Sequence, residues 1–123
     1  MFESFRHKEP PKPIKNADGL TEYAAFHAKD KVRYLKIYTA TQGNHTPAYF
    51  HLLKVATDGE RGKEISLLFS YWIVNIHGSN LQEVALSLEM RGCAFIQEFD
   101  HHKFAQPKPD EPIIESIEFT ARE

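Results

Sequence analysis

Six of the seven prolines fall in two clusters, Pro10, Pro11 and Pro13 near the start and Pro107, Pro109 and Pro112 near the end. Proline lacks a backbone N–H and biases the residue before it toward extended geometry, so both clusters read as loop or polyproline II. Residues 1–16 are therefore expected to form a flexible Pro-rich arm, and residues 101–112 a connection between two ordered elements. Residues 17–123 are then one domain, since 123 residues suit a single core and are few for two. Glycines at 19, 43, 59, 62, 78 and 92 divide that domain into short segments, which suits a compact α+β fold.

The segments have distinct periods. Asp18 precedes Leu20, Tyr23, Ala24 and His27, which lie on one helical face, so residues 18–29 are expected as a first helix. Residues 32–40 and 48–56 are rich in β-branched and aromatic residues and read as strands. Asp58-Gly59 opens a loop that runs through Gly62, a hairpin signal between two apolar runs. From Glu64 to His77 both faces are apolar. This is one central strand, or two strands joined by a bend near Ser70.

Gly78 is expected to break that strand. Ser79 and Asn80 then supply N-caps with Gln82 and Glu83 as capping-box partners, and Leu81, Val84, Ala85 and Leu88 form an apolar stripe. A second helix over about 80–91 follows, with Gly92 as its C′ residue. Residues 93–99 and 113–120 are the last strands. Ile113, Glu115, Ile117 and Phe119 share one face of the final strand, and the charge there suggests an edge position or a partner charge. The fold predicted is α+β, a single mainly antiparallel sheet of about five strands with two helices in the order α-β-β-β-α-β-β.

Composition narrows the chemistry. The single cysteine, Cys93, forms no internal disulfide and is too few for a Cys-based structural zinc site. No apolar h-region follows the basic residues near Met1, and the most apolar stretch, 65–76, is far shorter than the roughly 20 residues of a membrane span. The reading is a soluble, cytoplasmic protein with no membrane partner. The net charge of -2 argues against a uniformly basic nucleic-acid binder. The halves differ, however: residues 1–63 hold 11 Lys+Arg and 7 Asp+Glu, and residues 64–123 hold 4 and 10.

No motif specifies a reaction. The seven histidines match no metal-ligand spacing, and no glycine-rich phosphate loop is present, so no cofactor is called for. The best cluster is Asp100-His101-His102 just after a strand. His77 ends another strand, and adjacency of the two ends would gather imidazoles and a carboxylate as a metal site requires. Solvated loop histidines are the commoner reading. Glu98 and Asp100 would lie about 7 Å apart on one strand face, open to acid–base work but more often solvated. Cys93 opens an apolar strand and reads as a buried, inert thiol. Tyr34, Tyr38, Tyr49 and Phe50 with Lys36 and Lys54 offer a stacking face, or core pairs. Pro10-Pro11-Lys12-Pro13 carries a PxxP spacing, or is a stiff tail.

Three functions remain. The first is a non-catalytic module that binds a protein partner or self-associates as a homo-oligomer. The second is a small enzyme using Asp100, His101 and His102, with or without a metal. The third, less favoured, is a single-strand nucleic-acid binder using the basic arm and the aromatic strands.

Overall fold

Residues 19–122 are described in the computed structural model. They form β1 (Phe26–Ala28), β2 (Lys36–Tyr38), β3 (Asn44–His45), β4 (Leu52–Thr57), β5 (Glu64–Phe69), β6 (Trp72–Ser79), α1 (Gln82–Glu89), β7 (Cys93–Gln97) and β8 (Ile113–Ala121). The α+β class holds, but the strands make two four-stranded sheets, ordered β1-β7-β2-β3 and β4-β5-β6-β8. A single sheet of five strands and two helices is thus corrected to two sheets and one α-helix among the described residues. Pairing is antiparallel except between β2 and β7. The arm over 1–16, with its PxxP spacing, lies outside the described residues.

Two local choices produce the second sheet. The apolar run from Glu64 folds back at Ser70 and Tyr71, so it is the hairpin β5–β6 and not one long strand. The Ser70 N–H donates to the His51 carbonyl and anchors that turn to a single 3-10 turn, Tyr49–His51, which replaces the start of the strand expected at 48. The loop opened by Asp58-Gly59 is a second 3-10 turn, Gly59–Arg61, joining β4 to β5 as the turn chemistry predicts.

Of the helix expected over 18–29, the described residues 19–29 form no part. Tyr23 and Ala25 are buried while Glu22 and Ala24 are exposed, which is the period of two of extended chain. The same residues satisfy a helical stripe on paper, but tertiary pairing of β1 with β7 prevails.

The helix in the second half is α1, shorter than the 80–91 expected. Val84, Ala85, Ser87 and Leu88 are buried, as is Leu81 just before it. An eight-residue helix is marginal alone, so this apolar stripe holds it, at about 1.5–3 kcal/mol per buried Val or Leu. Its ends differ from expectation. Gly78 stays within β6, and neither Ser79 nor Asn80 caps the helix. Asn80 instead has φ 59° and donates its side-chain N–H to the carbonyls of Pro109 and Glu111. At the other end Arg91, not Gly92, takes the left-handed conformation, at φ 57°. The Gly92 N–H donates to the Ser87 carbonyl and the Arg91 N–H to the Leu88 carbonyl, the paired bonds of a Schellman ending. Gly92 is needed for another reason: a Cβ there would stand 2.7 Å from the Lys29 carbonyl oxygen.

The last strand carries a bulge. His77 pairs with Ser116 but Gly78 with Ile114, leaving Glu115 extra. The slip changes parity, so Ile114 and Ile117 are both buried and Glu115 is exposed. The face expected to hold Ile113, Ile117 and Phe119 together is therefore divided.

β8 lies at the edge of its sheet, as its charges suggested, but that edge is covered. The buried Tyr23 hydroxyl accepts the Ile114 N–H at 3.0 Å and donates to the Gln97 carbonyl at 2.6 Å. The Ile114 carbonyl accepts the Phe99 N–H. Glu98 accepts the Ile117 N–H, and Gln42 donates to the Ile117 carbonyl. These bonds join the two sheets over one continuous apolar core.

Replacing Tyr23 with Phe should strand the Ile114 N–H and the Gln97 carbonyl, at a cost of about 2 kcal/mol or more in urea unfolding. Gly78→Ala should cost about 1–3 kcal/mol in the same assay, because its Cβ would overlap the Ile113 carbonyl.

Candidate functional site

The sequence-predicted site residues occupy two places. Asp100, His101 and His102 form one turn after β7. Asp100 Oδ1 accepts the His102 N–H at 3.0 Å, and the Asp100 carbonyl accepts the N–H groups of Lys103 and Phe104. Both imidazoles are exposed, with ring centres 4.0 Å apart. His77 sits in β6 between Glu64 and Ser116. Among the described residues no group of three or more His, Cys, Asp or Glu side chains is placed to hold a metal ion.

A cleft of about 340 Å³ beside Asp100 is lined by Tyr38, Thr39, Gln97, Glu98 and Lys103, among others. Several of its polar groups are engaged within the fold. Glu98 accepts the Ala40 N–H at 2.7 Å with one carboxylate oxygen and the Ile117 N–H at 3.2 Å with the other. Thr39 donates its hydroxyl to the Gly43 carbonyl and accepts the Gln42 N–H. Gln97 donates its side-chain N–H to the Ala24 carbonyl, and the Lys103 ammonium stands 5.3 Å from the Phe104 ring centre. In this arrangement Glu98 fastens a loop and an edge strand.

Cys93 is fully buried at the start of β7. Burial pushes its thiol up to about 11, against stabilising contacts from Ser87, His27 and Phe95. Nucleophilic chemistry needs the thiolate, so this cysteine is not placed for it. Tyr49 is buried as well and donates its hydroxyl to the Cys93 carbonyl at 2.6 Å, which removes it from any stacking face. Of the other aromatics considered, Tyr34 and Phe50 are exposed and Tyr38 is half-buried against Phe95.

An apolar concavity lies elsewhere, between β1 and α1. It has a volume of about 360 Å³. One wall is Phe26 and Ala28 of β1 with Lys29 and Asp30 after it; the other is Glu83, Leu86, Ser87 and Met90, with Gly92 where the walls meet. The spacing i, i+3, i+4, i+7 puts the second group on one helical face. Leu86 is 54% exposed and Met90 68% exposed, although the opposite face of the same helix is buried. Sequence reading credited the helix with its buried stripe only. Leu86 and Met90 were legible as a second apolar pair at i, i+4, but β1 as their opposite wall was hidden by the helical reading of 18–29.

Labelling of Cys93 by iodoacetamide at pH 7.5 should run about 100-fold or more slower than for a free thiol, and urea should release it. Stability should fall as pH rises from 9.0 toward about 11. The unfolded chain ionises Cys93 first in that range, and the buried Tyr23 and Tyr49, also raised by desolvation, add to the loss above pH 10.0. Urea titrations at stepped pH would measure it. No protein-family model, curated protein or solved structure matches this chain significantly.

Proposed function

We propose that the protein is a non-catalytic binding module whose recognition surface is the groove between β1 and α1. The observation that carries this reading is the exposure of Leu86 and Met90 on one helical face, opposite a strand edge and around a formed concavity. Apolar concavities lined by a few polar groups are the usual form of a binding site, and methionine adapts its shape to a partner at small cost. Thr39 and Glu98 in the Asp100 cleft, by contrast, are engaged in holding loops and the β8 edge. The partner class in this reading is a protein segment, and no cofactor or metal takes part.

Selection of a displayed library of random 12-residue peptides on the full chain tests it. The recovered peptides should bind the wild type and lose at least tenfold affinity for Leu86→Glu. That variant should keep its stability within about 0.5 kcal/mol, because Leu86 is exposed. No enrichment, or enrichment indifferent to Leu86→Glu, overturns the reading.

A further inference from the structure

We infer that the groove accepts an extended peptide, which adds to β1 as a fifth strand of the first sheet. This rests on the reading just given and deepens it by naming the partner's backbone conformation.

The Gln97 N–H donates to the Ala25 carbonyl, so residues 25 and 97 are a hydrogen-bonded antiparallel pair. With Phe26 opposite Ile96, the next pair is not hydrogen-bonded, and the N–H and carbonyl of Phe26 point away from β7. Beyond the bulge, the Lys29 N–H donates to the Gly92 carbonyl, which turns the main chain of Ala28 outward in the same way. Among the described residues nothing meets these groups on the outer side, and β1 ends its sheet. Phe26 and Ala28 also line the groove. Among the described residues, an outer strand edge thus borders the groove whose other wall offers Leu86 and Met90.

The other strand edges are less receptive. β8 is covered at Ile114 and Ile117. β4 carries an extra residue at Leu53 followed by the exposed Lys54, and bulges and edge lysines discourage pairing. β3 is two residues long. β1 has neither charge nor proline and is bulge-free, since its register shift arises from an extra residue in β7.

The shape of the groove selects its occupant. A two-fold pair of copies would set concavity against concavity and leave the space unfilled. A single strand projecting between the walls fills it, with main-chain bonds on the β1 side and alternate side chains against Leu86 and Met90. Three residues of β1 give about 10 Å of pairing. Charge adds one preference. Glu83 is exposed on the helical wall, so a basic residue on the peptide is complementary there.

The test uses a seven-residue peptide alternating valine with lysine or threonine, and a matched peptide N-methylated at its strand-pairing amides. Both are titrated into ¹⁵N-labelled full chain. Strand addition predicts that the Phe26 and Ala28 amides, fast to exchange in the free protein, slow at least tenfold in the complex. It also predicts that N-methylation weakens binding at least tenfold, and that Glu83→Lys weakens it further. Equal affinity for the two peptides, with Leu86 and Met90 signals still shifting, overturns strand addition and leaves the groove as an apolar site. No binding of either peptide at millimolar concentration also overturns strand addition, and the binding-module reading is then decided by the selection against Leu86→Glu.

Discussion

The fold depends on one buried hydroxyl. Tyr23 touches the last residue of β7 through its carbonyl and the second residue of β8 through its N–H, and those strands belong to different sheets. A buried peptide group without a partner is costly, so the hydroxyl fixes how the sheets meet as well as stabilising them. Its ring packs edge-on against Phe99 and Phe104, with centres at 5.1 and 5.2 Å. The turn that carries Asp100, His101 and His102 lies between those two phenylalanines in sequence. That turn is therefore anchored at both ends by the same tyrosine, and its histidines are left on the outside.

Tyr49 repeats the device at the other end of β7, where its hydroxyl reaches the Cys93 carbonyl. The central strand of the first sheet is thus held by two tyrosines, one near each end. Both lie in segments with little regular structure of their own. In the sequence they look like ordinary apolar or stacking residues, because a hydroxyl's partner 44 or 74 residues away leaves no local trace.

What was legible followed from local chemistry. The turn at Asp58-Gly59, the helix stripe of Leu81, Val84, Ala85 and Leu88, and the strands beginning at Cys93 and Ile113 all rest on patterns within a dozen residues. What was not legible depended on pairing. The parallel match of β2 with β7 spans three strands of the second sheet and the helix in sequence. The bulge at Glu115 reverses the faces of β8 without any glycine in that strand to announce it. At the site, the sequence directed attention to titratable residues, whereas the structure draws it to an apolar wall. The histidines were conspicuous as a type. Leu86 and Met90 became conspicuous only when β1 was found opposite them.

The ending of α1 governs the groove in a mechanical sense. At Gly92 only backbone atoms separate the helix terminus from the carbonyls of Lys29 and Asp30, at a spacing no side chain would allow. The other end of the helix is tied to the second sheet, where the Leu81 N–H donates to the Gly62 carbonyl and the Gln82 side chain to the Glu60 carbonyl. The helix is therefore a strut whose two feet stand on different sheets. Leu86 stands at mid-span and Met90 at the foot beside Gly92, so the helical wall of the groove is held in place by contacts to both sheets.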